Sequence, residues 1–467
     1  AGAAAGEGPR HHWPRTRGHP GEYMITNHSI PADLSAAYAW SWHNPGGRFS
    51  SVMRGSPLID QDLNVVILTE EALYKLSPEG ELLWKYTVPS GAMMNHVPSI
   101  MGGHVYGQAV DTYAYKVDLA TGKAVWTRKV DWQTGGDTAY VEAYDGKVLL
   151  GTDPGVKWQG GAMQVVCLNA SDGATAWTYR MDKPTWNFSP LFTSPFDGTF
   201  IFMDIVGGVR RMGLNDGRLL WHSSPGEAQE SFTDGGVSIG PDHTSYACSN
   251  NDGGSKGVLR AYRFEDGALL WTKYLPTGCT SWPAIARGGG HGVLAGGGFV
   301  MTPLVMMTPQ WVPNVFKFLL HNFVLLMGAK LRWVPGFWKI PLVRTHVLAF
   351  DTKTGRTLWE HWLPDWEKAA ARGDDEGLLP RVSAGKNAIC LPTTFSATTI
   401  SGDGTAYVGH VSGILYALKD ANGDGKIDAR KEVQTFDILA SPLPNNAAWA
   451  PDTMAFATCD TLFVFKR

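Results

Sequence analysis

The 467-residue chain has no uninterrupted apolar run of the roughly 20 residues that a bilayer-spanning helix requires. Cysteine is scarce. The five present (Cys167, Cys248, Cys279, Cys390 and Cys459) form no CxxC, CxxCH or adjacent pair, which excludes metal knuckles and haem attachment and leaves the redox compartment open. Charged residues make up 18%, below the usual quarter, and 40 basic side chains against 43 acidic ones exclude a general affinity for nucleic acid. There is no HExxH, no phosphate-binding glycine loop and no paired-carboxylate motif. The chain opens on Ala-Gly-Ala-Ala-Ala without a charged-then-apolar leader, as expected once a targeting segment has been removed.

Glycine (55) and tryptophan (19), in contrast, are abundant, and they recur in register. Six segments share an alternating apolar strand, a turn ending in glycine, three residues and a tryptophan: LYKLSPEGELLW to Trp84, YKVDLATGKAVW to Trp126, VCLNASDGATAW to Trp177, VRRMGLNDGRLLW to Trp221, LRAYRFEDGALLW to Trp271 and LAFDTKTGRTLW to Trp359. Glycine is about 12% of the chain, so chance would place one four residues ahead of roughly two of the 19 tryptophans; Gly278 and Trp282 look like such a coincidence. The pattern reads as a β-hairpin with glycine where the turn needs positive φ and Asp or Thr bonding the local backbone. One hairpin cannot bury an indole ring, so the repeat predicts stacked sheets that share a core.

These residues resemble the quinoprotein-type (PQQ-like) propeller repeat, an aliphatic-Asp-x-x-Thr-Gly-x-x-x-Trp hairpin. Val117-Asp118 with Thr121-Gly122-Trp126, and Phe350-Asp351 with Thr354-Gly355-Trp359, match it best. The resemblance runs from about residue 40 to the C-terminus. The family includes pyrroloquinoline-quinone alcohol dehydrogenases and the non-enzymatic lipoprotein of the bacterial outer-membrane barrel-assembly machine, and this chain is closest in character to the non-enzymatic members. Family dehydrogenases hold the quinone over the central funnel with calcium, an aspartate base and adjacent cysteines. Without a Cys-Cys pair, the resemblance speaks against bound quinone here. Family members mostly work outside the cytoplasm, which implies a lumen, periplasm or secreted setting.

Successive tryptophans lie 42, 51, 44 and 50 residues apart, one four-stranded blade each, and the next gap of 88 holds a blade plus an insertion. A seventh blade runs from Thr394 to Ile438 without the tryptophan. Trp449 to Phe465 supplies inner strands of an eighth, which Ala37 to Trp42 completes by pairing with 449–465. Six blades leave segments over, and seven require the terminal strands to decorate an edge. The expected fold is therefore an all-β, eight-bladed propeller over 37–467, preceded by an extended arm (1–36) rich in Gly, Pro, Arg and His that orders only against a surface.

Two segments break the pattern. Residues 420–428 offer oxygens from Asp420, Asn422, Asp424 and Asp428 and the Lys426 carbonyl, with glycine at the sixth position, a spacing that suits structural Ca²⁺. The plain alternative is a turn with solvated acids. The insertion, 302–345, contains an amphipathic stretch expected to be helical, with Phe316, Leu319, Phe323 and Leu326 along one side and Lys317 on the other. No acidic residue occurs between Asp266 and Asp351, whereas Lys330 and Arg332 are basic and Trp311, Trp333 and Trp338 flank the stretch. Such a basic, tryptophan-flanked helix suits an anionic membrane surface or a membrane-protein partner; folding over the propeller rim is the alternative.

Polar residues on inner strands could face a funnel: Arg54, Asn95, His96, Glu142, Asn187, Cys279 and Asn446. They read either as a ligand site or as groups that satisfy one another and water. The function expected is a non-enzymatic scaffold that binds protein partners and docks on a membrane complex through the insertion and the arm. The rival is a quinone-dependent dehydrogenase.

Overall fold

The computed structural model describes residues 10–467 except 95, 133–138, 154–160, 186–187, 194–196, 225–234, 252–255, 280, 298–311, 314, 317–318, 321–322, 324–342, 367, 369–370, 387–389, 391–394 and 443–445. Eight four-stranded antiparallel sheets form an eight-bladed propeller. Blades one to seven occupy 58–86, 96–129, 142–185, 191–223, 237–275, 284–362 and 399–437. Within each, the strands pair in sequence order, and the first strands of neighbouring blades touch around the axis. Blade eight takes three strands from the C-terminus (Ala448–Ala450, Thr453–Ala457, Leu462–Lys466) and its outer strand, Tyr38–Trp42, from near the N-terminus. Trp40 lies opposite Val464 and Trp42 opposite Leu462, so the ring closes between the two ends of the chain. Ala37 belongs to a short helix, α1 (Leu34–Ala37), capped by the Asp33 carboxylate.

Five of the six recurring tryptophans, and Trp40 with them, dock on the glycine turn of the next blade. The six repeat glycines have φ between +66° and +91°. Gly122 sits against the Trp84 ring, Gly173 against Trp126, Gly217 against Trp177, Gly267 against Trp221 and Gly355 against Trp271, while Gly80 takes Trp40. The same indoles donate their Nε1–H to a carbonyl of that turn at 2.8–3.1 Å: Trp40 to Pro78, Trp84 to Leu119, Trp126 to Ala170, Trp177 to Leu214, Trp221 to Phe264 and Trp271 to Thr352. A side chain at these turns would push the ring away. In the best-matching hairpins, Asp118 and Asp351 accept from the backbone N–H and hydroxyl of Thr121 and Thr354, which fixes the turn.

Where the pattern lapses, other groups replace it. Trp359, Ile427 and Val433 pack against one core cluster, and Gly425 of the blade-seven loop lies against the Leu358 carbonyl. By register Gln434 stands where the blade-seven tryptophan would be, and Phe436, two residues on, stacks on Tyr38 at 5.5 Å.

The antiparallel meander separates two faces. Turns between first and second strands lie on one, and turns between second and third strands, with the blade-to-blade connections, lie on the other. Helix α2 (Asp374–Ser383), absent from the sequence expectation, lies on the second face in the connection between blades six and seven. The insertion leaves after Gly297 and returns before Thr345, also on this face. Its expected helix falls mostly outside the described residues, as do Trp311, Lys317, Leu326, Lys330, Arg332, Trp333 and Trp338. Val315, Phe316, Leu319, Leu320 and Phe323 are helical. Among the described residues, no helix is long and apolar enough to cross a membrane.

Candidate functional site

Residues 10–28 of the arm fill the first-face mouth of the axial channel, touching blade after blade. His11 bonds the Gly102 carbonyl at 2.6 Å, and Trp13 pairs with Ile59 of blade one. The Arg15 guanidinium donates to the Ala143 carbonyl of blade three at 2.6 Å and lies over the Tyr144 ring. The Tyr23 hydroxyl donates to the Phe192 carbonyl of blade four, and Ile25 pairs with Ile400 of blade seven. Tyr23, Met24 and Ile25 join a core with Val97, Leu191, Val237, Trp282 and Ile400. The condition read from composition, order only against a surface, is met by the propeller itself.

Arg17 forms the tip of this plug. It is 0% exposed and touches three blades at once: its Nε donates to Ser189 of blade four at 3.2 Å, and its guanidinium lies 3.4 Å from the Trp282 ring centroid of blade six and 5.1 Å from that of Tyr140 of blade three. Contact with blades three, four and six together requires a position near the axis. Its Nη1 and Nη2 make no hydrogen bond of acceptable geometry. Burial lowers its pKa to about 10, against the favourable pull of Tyr140 and Glu142, so the group is charged at neutral pH. Beside it Glu142 is fully buried; desolvation raises its pKa to about 7 despite Arg15, at 3.6 Å, and Arg17.

The other described funnel candidates each have a partner in a neighbouring strand, blade or connection. Arg54 meets Glu70 at 3.5 Å on the second face, where Arg381 of α2 grips the same carboxylate at 2.8 and 3.0 Å. Burial would raise the Glu70 pKa, but Arg381 and Arg54 outweigh it and hold the carboxyl below its usual range. His96 bonds Gln108 at 2.7 Å, and Asn446 accepts from the Ser56 hydroxyl at 3.2 Å across the blade eight–blade one junction. Cys279 is in a disulfide with Cys248, and Cys390 of the α2 connection is in another with Cys459. Asn95 and Asn187 lie outside the described residues. Arg15, Arg17, Glu70 and Arg381 were missed from sequence because nothing in their local spacing marks a partner 128 to 311 residues away.

Outside the plug, a cleft of about 270 Å³ is lined by Arg10, His12, His19, Glu22, His28 and Arg287, among others. The blade-seven loop is an exposed series of turns. Asp420 accepts the backbone N–H groups of Gly423, Asp424 and Gly425, Asn422 donates to Asp424 at 3.1 Å, and Glu432 accepts from Ala421 and Asp428. Among the described residues no three His, Cys, Asp or Glu side chains are grouped as metal ligands.

A family model for PQQ-like repeats, described as "Outer membrane protein assembly factor BamB", matches residues 35–185 and 115–283, together more than half of the chain. The chain belongs to this family. A BamB of Bordetella pertussis is 29% identical over 92 residues, which is 18% of this chain and 24% of that protein, so the match spans about a quarter of the relative's length. The BamB structure from Moraxella catarrhalis aligns with a TM-score of 0.56 at 14% identity, over 92% of this chain and 97% of that one. A quinohemoprotein alcohol dehydrogenase from Comamonas testosteroni reaches 0.65 at 11% identity, over 97% and 80%. A europium-containing methanol dehydrogenase reaches 0.61 at 11%, over 98% of both. At such identities these structures share the BamB-type chain's fold and carry nothing further about its chemistry.

Proposed function

We propose that the protein is a non-enzymatic propeller scaffold, working outside the cytoplasm and peripheral to a membrane as a subunit of a protein assembly complex. The observation that carries this reading is the match of more than half the chain to the assembly-factor family model. The two disulfides support an oxidising compartment. Docking goes through the second face. There Phe316, Leu319 and Phe323, three and four residues apart on one helical side, are 61%, 56% and 57% exposed, an arrangement that suits a membrane-protein groove or an anionic lipid surface. The arm contributes little to docking, because residues 10–28 are spent on the opposite mouth.

The test compares wild type with a deletion of 310–340 in co-sedimentation with anionic liposomes and in crosslinking to native membranes. Loss of both in the deletion supports the reading, and equal behaviour refutes docking through the insertion. The dehydrogenase reading draws on the fold shared with quinoproteins, and an absorption spectrum of purified protein decides it, since bound quinone is coloured. For the 420–428 loop, Ca²⁺ held by Asp420, Asn422, Asp424, Asp428 and the Lys426 carbonyl would cross-link the hairpin that carries Ile427 against blade six. Gly423 and Gly425, with φ of +71° and +79°, give the loop a curvature compatible with that wrapping. Calcium should raise the unfolding midpoint saturably, and Asp424→Ala should abolish the rise; a midpoint indifferent to millimolar calcium removes the site.

A further inference from the structure

We propose that the tip of the arm plug is a binding site for a small carboxylate anion on the propeller axis, with Arg17 as the group that grips it. A guanidinium presents its two terminal nitrogens as a planar fork that matches both oxygens of a carboxylate. In Arg17 this fork is fully buried and makes no hydrogen bond of acceptable geometry, with Tyr140 and Glu142 beside it, while the remaining nitrogen is tied to Ser189 and one face is covered by Trp282. Those two contacts leave the ends of the fork as its free side and fix its plane. A buried cation without a counter-charge is a position that native proteins fill with an anion, a carboxylate or a displaced pKa. The described acids of the arm lie elsewhere: Glu22 is engaged by Arg10 and Arg287 outside the plug, and Asp33 caps α1.

Among the described residues, few groups face the fork. From blade three come Tyr140 and Glu142, from blade four Ser189, from blade six Trp282, and from the arm Arg15, whose guanidinium is occupied by the Ala143 carbonyl. Glu142 is the internal competitor, because once ionised it could approach Arg17 itself. An external carboxylate and an ionised Glu142 are therefore alternatives at the same charge. Because the arm closes the first-face mouth, the anion reaches the fork from the opposite side of the channel. The site takes a compact, planar, singly charged ion of the size of formate or acetate, whose two oxygens match the guanidinium fork.

The experiment titrates the full chain with sodium formate against sodium chloride and phosphate at matched ionic strength, by calorimetry. Wild type should bind formate saturably, with phosphate at least tenfold weaker. Arg17→Met should lose at least tenfold in formate affinity while circular dichroism shows the propeller intact. If Arg17→Met does not fold, Arg17→Lys decides: it keeps the charge and loses the fork, so a tenfold loss supports the site and wild-type affinity overturns it. Glu142→Gln removes the competing carboxylate and should bind formate at least as tightly as wild type. The proposal is overturned if wild type shows no saturable binding, or if binding emerges only in Glu142→Gln, which would make Glu142 the counter-ion.

Discussion

Replacing Gly217 by alanine should destabilise the propeller far more than the same change at Gly146, although both glycines sit in turns at nearly the same φ, +66° and +71°. A β-carbon at Gly146 meets nothing within 4 Å, whereas at Gly217 it would fall 2.6 Å from Cε3 of Trp177. The backbone cost common to both is about 1–2 kcal/mol, the penalty of holding an L-residue in the left-handed region. At Gly217 the displaced indole adds about 1–3 kcal/mol of overpacking, and stretching its 2.8 Å bond to the Leu214 carbonyl adds about 1 kcal/mol. The expected losses are about 1–2 kcal/mol for Gly146→Ala and about 3–6 kcal/mol for Gly217→Ala, read as midpoint shifts in urea at unchanged slope. In a Trp177→Ala background the Gly217→Ala cost should fall to that of Gly146→Ala, since the ring it collides with is gone. Equal costs for the two glycines in wild type, or no coupling to Trp177, would refute the idea that the sheets are held in a ring by indoles seated on their neighbours' turns.

Three further outcomes follow from buried charges and cross-links. Glu142 binds a proton more tightly folded (about 7) than unfolded (4.5), so its contribution to stability falls as pH rises between these values; relative to Glu142→Gln, wild type should lose about 3 kcal/mol from pH 4.5 to 8, measured by unfolding across pH. Glu70→Gln strips the carboxylate from two buried guanidinium groups, Arg54 and Arg381, and should cost about 3–5 kcal/mol in chemical denaturation, with protease access to the α2 connection rising. Replacing Cys390 and Cys459 by serine opens a cross-link spanning 69 residues and should cost about 4 kcal/mol in the chain-entropy picture, with a change below 1 kcal/mol counting against that picture here.

The blade number was legible because the information is local and repeated. A glycine turn and a tryptophan four residues on state both the hairpin and its need for a neighbour, and closure follows from Ala37–Trp42 lacking any partner but the C-terminal strands. Trp40 belongs to the same docking series, with Gly80 beneath it, yet its own half-hairpin is at the far end of the chain, so no glycine stands four residues before it. The interior of the channel was not legible. Arg54, His96, Glu142 and Asn446 were found as polar residues on inner strands, but whether they converge depends on which blade they sit in and on which chain segment enters the axis. A Gly/Pro/Arg/His arm without period gives no sign that Arg17 reaches the centre, because its partners Ser189 and Trp282 are 172 and 265 positions on.

The arm also constrains how the molecule can meet a partner. An eight-bladed ring leaves an axial channel that its own inner strands do not fill, and here the first-face mouth is closed by Tyr23, Met24 and Ile25 packed against at least four blades. To free that mouth would mean exposing these apolar side chains and withdrawing Arg17 from under Trp282, a cost set against no visible gain. The second face has the opposite character: α2 is bound there by a buried ion pair and a disulfide, and the exposed Phe316, Leu319 and Phe323 arise from the strand ends at Gly297 and Thr345. One flat surface cannot engage both faces of a propeller. Binding through the insertion therefore leaves the arm cleft, with Arg10, His12, His28 and Arg287, turned away from the docking surface and open to solvent.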